Sequence, residues 1–348
     1  MNTRCGCFIV PKDVLEEFAA DESLSAESRQ ALRETVALEP VWRNLRSAQT
    51  RAAQARLLPM SEVVSGTLAS QPSVTVFNCK NTKSLPGAPV LNPGKSSDVT
   101  AKRAYDETLA VAEFYSQSFD RNSVDGAGMT LVSSIHYDVR YSNAFWDGTQ
   151  MTYGDGDGEI FVDFTGSSDV IGHELTHGVT QFTAGLNYTN EPGGLNESVS
   201  DVFGTMFRQW RKNQTVDQAD WLIGADIIGP KAAAKGYTCL RDMADPGATH
   251  CLAKQPSHYS DYVPGGDPHT NSGIPNRAFY LAATAIGGRS WEKTGKVWYA
   301  ALTSPRATKN TKMKAFANLT RQAAKSLFEA DPAVYSAVDD AWKDVGLT

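Results

Sequence analysis

The sequence predicts an α+β chain in which a β-rich lobe precedes an α-helical one, behind a short helical N-terminal segment. Three observations carry this. Between residues 74 and 164, β-branched and aromatic residues come in short runs, at Val74 and Val76, over 131–137 and over 159–164, punctuated by Gly, Asn and Asp. Beyond residue 168 the apolar residues recur mostly at helical spacing. Before residue 58 the chain is polar and alanine-rich, with Val14, Leu15 and Phe18, then Leu32, Val36 and Leu38, at helical intervals.

Taken in order, residues 11–58 form a separate helical unit that gives way toward Pro59. Strand-like runs follow, interrupted by a helix over about 100–119. Asp155 and Asp157 in Gly-Asp-Gly-Asp-Gly begin like a calcium-binding loop, yet Gly166 stands where its closing glutamate belongs, so a tight turn is expected. A helix capped by Ser168 or Asp169 comes next, then long Gly/Pro loops over 229–275, and a last helix over 331–345. The domains expected are 1–58 (helical), 59–185 (β-rich, ending in the helix after Ser168) and 186–348 (α-helical).

At 348 residues the chain is long enough for two lobes and an extra segment. A net charge of −6 offers no basic excess to attract nucleic acid or an anionic membrane, so neither is expected as a partner. No apolar run approaches 18 residues, and the first residues turn charged too early for a signal h-region. The expectation is therefore synthesis as a cytoplasmic protein without a Sec signal, leaving by a leaderless route. Cys5, Cys7, Cys79, Cys239 and Cys251 are an odd number with no zinc-knuckle spacing. Cys239 and Cys251 flank one loop and either pair under oxidising conditions or stay as two thiols.

The chemistry concentrates in Val170-Ile171-Gly172-His173-Glu174-Leu175-Thr176-His177. Imidazoles four apart share one face of a helix and can hold a zinc ion, while Glu174, beside the first, can take a proton from an attacking water. Glu197, twenty residues on (197 − 177), can return on a second helix to complete a His2Glu set. Asp201 and Asn196 are placed to fix the imidazole tautomers through their other nitrogens.

With these residues, and with Asn143-Ala144-Phe145-Trp146, Tyr153 to Gly158, Leu240-Arg241-Asp242-Met243 and His269-Thr270-Asn271-Ser272-Gly273 in order, the chain resembles the thermolysin family of zinc metallopeptidases from about Val74 to its end. The resemblance implies a two-lobed fold with the zinc helix between the lobes. It also implies a zinc-dependent neutral endopeptidase cutting on the amino side of large hydrophobic residues, with one catalytic Zn2+ and Glu174 as general base. Tyr188 and His269 match positions that steady the oxyanion. Family members commonly carry an acidic residue five positions before that histidine; here Asp261 or Asp267 is left to orient it. Arg241 matches the residue that grips the substrate carbonyl, and Asn143, Ala144 and Trp146 match the edge strand that binds an extended peptide. Phe161, Phe164, Val170, Ile223 and Leu240 align with the walls of the pocket beyond the cut bond, although an apolar set is core by default.

Residues 1–58 are similar to the short propeptides of protealysin-like members, which implies a zymogen whose partners are its own propeptide and its peptide substrates, and which is a monomer. Cys5 and Cys7, before Phe8-Ile9-Val10-Pro11, are candidates to inhibit by placing a thiolate on the zinc; cleavage near 51–59 would release the block. Calcium remains possible, but the family's double calcium site is expected to be absent: Asp169 and Asp220 persist, whereas Arg208, Leu222 and Ala225 stand where carboxylates belong. Two rival functions are a non-catalytic zinc-dependent binding or toxin-delivery protein, and a hydrolase of a non-peptide bond. The complete ligand set opposes the first; Asn143 and Arg241, suited to a peptide backbone, oppose the second.

Overall fold

The computed structural model describes residues 7–56 and 72–348, with only the backbone of 43–56. Helices α1 (Lys12–Ala20) and α2 (Ala26–Arg56) form the N-terminal unit. They are separated at Asp21, whose carboxylate accepts the Ser23 N–H at 2.9 Å. Val14, Leu15 and Phe18 of α1 are buried with Leu24 and Leu32, so the apolar face of this unit is turned inward.

A six-stranded mixed sheet follows: β1 (Cys7–Phe8), β2 (Val74–Thr82), β3 (Ala88–Pro89), β4 (Leu131–Tyr137), β5 (Ala144–Trp146) and β6 (Met151–Tyr153), in the order β1-β5-β6-β4-β2-β3. Strands β2 and β4 run parallel, joined through α3 (Val99–Phe119). Asp98 caps α3 by accepting the N–H groups of Thr100 and Ala101, and Asp120 ends it in the left-handed region. The first strand belongs to the N-terminal unit, yet it pairs antiparallel with β5 at the sheet edge.

Residues 159–164 do not form the strand expected of them. The Asp157 carboxylate accepts the N–H groups of Glu159, Ile160 and Phe161, and Gly156 and Gly158 have positive φ, so the backbone donors are spent on a turn. Only a single bridge, Phe161 to Ile228, remains.

Helix α4 (Ser168–Gln181) starts one residue earlier than expected, with Ser167 at the cap position. The Asp169 side chain instead accepts the Gly224 N–H at 2.8 Å. Beyond it lie α5 (Asn190–Lys212), the short pair β7 (Leu222–Ile223) and β8 (Arg241–Asp242), and α6 (Pro230–Ala234). Then come α7 (Pro268–Asn271), α8 (Gly273–Ile286), α9 (Thr294–Leu302), α10 (Met313–Leu327) and α11 (Pro332–Asp344). The 229–275 region is thus broken by short helices. Trp298 and Trp342 stack at 5.9 Å in the helical lobe. Helices α4 and α5 touch at Gly172 and Gly204: a Cβ on Gly204 would lie 2.6 Å from the Asp169 carbonyl oxygen. That backbone contact brings the face of α4 that carries the histidines onto α5.

Candidate active site and its occupied cleft

His173 and His177 share one face of α4, their ring centroids 4.7 Å apart and their Nε2 atoms 3.0 Å apart. Glu197 on α5 sets Oε2 3.3 Å from His173 Nε2 and Oε1 3.5 Å from His177 Nε2; all three side chains are fully buried. The far nitrogens are engaged. His173 Nδ1 lies 2.8 Å from Asp201, and His177 Nδ1 lies 2.8 Å from Asn196 Oδ1 and 3.0 Å from Ser200 Oγ. With both Nδ1 atoms donating, both Nε2 lone pairs aim at one point beside a carboxylate, an arrangement that a cation satisfies. The donor set and its chemistry therefore fit a zinc ion.

Further residues hold this arrangement. Asn196 Nδ2 donates to the Leu186 carbonyl, which fixes its amide so that the oxygen faces His177. Asp201 accepts two N–H groups from Arg241, at 2.9 and 2.7 Å, and one from Asn276 at 2.9 Å. Burial alone would raise the Asp201 pKa, but the Arg241 guanidinium and His173 hold it well below the ordinary carboxylate range. Ser200 and Asn276 were not foreseen. Ser200 lies one helical turn beyond Glu197, a signal that could have found it, whereas Asn276 comes from a different helix and carries no local signal.

Glu174 is fully buried. Its Oε2 accepts the Trp146 N–H at 3.0 Å, and its Oε1 has no protein partner. Burial pushes its pKa up to about 8. Across the site the Tyr188 hydroxyl donates to Glu197 and lies 3.5 Å from His269 Nε2. Asp267 orients His269: its carboxylate lies 2.6 Å from Nδ1 and also accepts the His269 backbone N–H at the start of α7. Burial works against protonation of His269, yet Glu197 and Asp267 outweigh it and lift the pKa to about 9. Asp261, the other candidate, bonds Ser260 on the surface.

The N-terminal segment fills the cleft in front of these groups. The Ile9 N–H donates to the Ala144 carbonyl at 3.2 Å, and Arg241 Nη1 donates to the Ile9 carbonyl at 2.9 Å. The Asn143 amide brackets Val10, accepting its N–H at 3.0 Å and donating to its carbonyl at 3.1 Å. His269 Nε2 is 2.5 Å from the Phe8 carbonyl oxygen. Cys7 is the register partner of Trp146, and the Phe8 ring packs on Phe145 at 5.3 Å. Ile9 is buried in the same apolar cluster as Phe161, Phe164, Val170, Ile223 and Leu240. Of the two cysteines proposed to inhibit, Cys7 is buried in β1 and Cys5 lies outside the described residues.

The chain matches the thermolysin metallopeptidase catalytic domain over residues 68–181 and the thermolysin metallopeptidase alpha-helical domain over residues 184–347. It is 38% identical over 358 residues to an extracellular metalloprotease of Pectobacterium carotovorum subsp. carotovorum, covering 100% of this chain and 98% of that one. With protease PrtS of Photorhabdus sp. (strain Az29) it shares 42% over 299 residues, 82% of this chain and 78% of the other. Among solved structures, the precursor of protealysin, a metalloproteinase from Serratia proteamaculans, aligns with a TM-score of 0.83 at 38% identity. That alignment covers 98% of this chain and 100% of the precursor. A relative named for its extracellular place overturns the expectation of a cytoplasmic protein with leaderless export. The lack of an apolar run near residue 1 carries no information about the route.

Proposed function

Because the chain belongs to the thermolysin family of metallopeptidases, as a zinc-dependent neutral metalloprotease in zymogen form, we propose that Glu174, Tyr188, His269 and Arg241 act on a peptide lying where Phe8-Ile9-Val10 lies. The observation that carries this reading is main-chain recognition. Every polar contact to Ile9 and Val10 described above goes to a backbone atom, so a substrate of different sequence can take the same place. A zinc ion held by His173, His177 and Glu197 supplies a Lewis acid and lowers the pKa of a water it binds. Glu174, through its unpartnered Oε1, takes a proton from the attacking water and passes it to the leaving nitrogen. His269 Nε2 and the Tyr188 hydroxyl donate to the scissile carbonyl oxygen as it gains charge. Arg241 and Asn143 hold the product side of the substrate.

On this reading Ile9 marks the position just after the cut bond, and its complete burial in the apolar core that also holds Phe161, Phe164, Val170, Ile223 and Leu240 supports cleavage on the amino side of large apolar residues. Residues 1–58 are the propeptide, inhibiting through its backbone and released by cleavage near 51–59; 59–185 and 186–348 are the catalytic lobes. The released enzyme works as a monomer without nucleic acid or membrane. The guanidinium of Arg208 takes the role of calcium. A peptide series varied only after the scissile bond tests the specificity: Leu, Ile and Phe should exceed Asp and Gly by at least about tenfold in kcat/KM. Equal rates across the series would contradict it.

A further inference from the structure

A second cluster lies behind the loop that delivers Arg241. Residues 238–240 run alongside 250–253: the Thr238 N–H donates to the His250 carbonyl at 3.0 Å, Leu252 N–H to Cys239 at 3.0 Å and Ala253 N–H to Leu240 at 2.9 Å. Cys239 and Cys251 are parallel bridge partners with Sγ atoms 3.6 Å apart. Both are buried, packed with Ala248, Leu222 and Ala225. From Cys239 the chain reaches Leu240 and Arg241 at once.

We propose that Cys239 and Cys251 form a disulfide in the exported protein, clamping the base of the loop that carries Leu240 and Arg241. Paired strands lie about 4.7–4.9 Å apart, inside the range of Cα separations a disulfide spans, so small side-chain rotations close the gap. The apolar wall suits a neutral product. A metal would need both thiols ionised there, whereas the hydrogen bond with Cys251 and then burial push the Cys239 thiol up. His250, the third group near the pair, has Nε2 3.2 Å from Asp242 and is partly exposed.

The oxidant is a small-molecule disulfide or a disulfide oxidoreductase. One cysteine thiolate attacks that disulfide and expels a thiolate. The second cysteine then attacks the mixed disulfide and expels the other, so two protein thiols lose two electrons and two protons while two external thiols form. Because both sulfurs are buried, the exchange takes place as the chain folds, and the finished bond is shielded from reductant. Its consequence for the cleft rests on the assignment of Arg241 above; the bond itself does not.

The test refolds the full chain in a glutathione redox buffer, alkylates it under denaturing conditions and maps its peptides. A linked pair of peptides carrying Cys239 and Cys251, lighter by two hydrogens, is expected, with the melting temperature about 5 °C or more above that of chain refolded in reductant. The Cys239→Ala/Cys251→Ala variant should lose that sensitivity to reductant. Full alkylation of both cysteines after oxidative refolding overturns the proposal. So does a second equivalent of bound zinc that is present in the parent and missing from the double variant.

Discussion

Helices α4 and α5 carry two buried charge centres that are completed in opposite ways. Near the start of α4, Asp169 meets Arg208, whose guanidinium also reaches Asp220 at 3.2 Å and Asp226 at 3.3 Å. A side-chain cation completes that group. Farther along α4, His173 and His177 turn their Nε2 lone pairs toward Glu197, and no Lys or Arg nitrogen pairs with the Glu197 carboxylate among the described residues. The first centre is closed by an arginine, while at the second His269 Nε2 lies 3.3 Å from Glu197 and the two converging imidazole lone pairs still leave a place for an ion. Burial is equally deep for Asp169 and Glu197, so what separates structure from function here is the origin of the compensating charge.

The contrast breaks most visibly at Arg208. Replacing it with Met leaves Asp169 buried without its cation and should cost roughly 3 kcal/mol, near the low end for a broken buried pair because Asp220 and Asp226 stay hydrated at the surface. Thermal unfolding with full zinc occupancy checks this; a loss under about 1 kcal/mol would mean that the centre is not closed by its arginine.

At the other centre, Asp201→Asn keeps the shape while weakening the acceptor for His173 and Arg241. Zinc affinity should fall about 10- to 100-fold, read by competition with a chelator. Unchanged affinity would remove Asp201 from the tuning of the site.

His136, in the β lobe, supplies a third comparison. It bonds Asp155 at 2.8 Å and Asp98 at 3.1 Å, and the Asp155 carboxylate first of all raises its pKa to about 9. The folded-state value lies above the unfolded one, so its contribution is fully present below about pH 6.5 and is lost as pH rises through about 9. The stability gap between the parent and His136→Gln should therefore shrink between pH 7 and pH 10. A gap that widens with pH would contradict the assignment. The smallest effect is expected from a calcium chelator too weak to strip zinc, which should move the melting temperature by less than about 2 °C.

Much of this site was legible in the chain because its parts are local. The i, i+4 histidines lie on one helix and Glu197 with its neighbours Asn196 and Asp201 on the next, so helical spacing sets each group on a common face and only the packing of two consecutive helices had to be supplied. The helices expected over 100–119 and 331–345 are there for the same reason: periodicity reports a face that must be buried. Residues 159–164 misled because an apolar β-branched run cannot reveal that Asp157, just upstream, captures its N–H groups. The choice of Asp267 over Asp261 depended on the first turn of α7, which places carboxylate and ring together. The pairing of β1 with β5 joins residues more than 130 apart, and Asn276 reaches Asp201 from a different helix; neither leaves a periodic trace.

The central claim, that Glu174 is the base of a zinc site the propeptide occupies, is met most directly by Glu174→Gln. Metal content and peptide turnover are measured on the same preparation, with the propeptide removed by an added protease. One equivalent of zinc should be retained, since His173, His177 and Glu197 are untouched, while kcat falls at least about 10²-fold. Activity within about tenfold of the parent at full zinc occupancy would contradict the account.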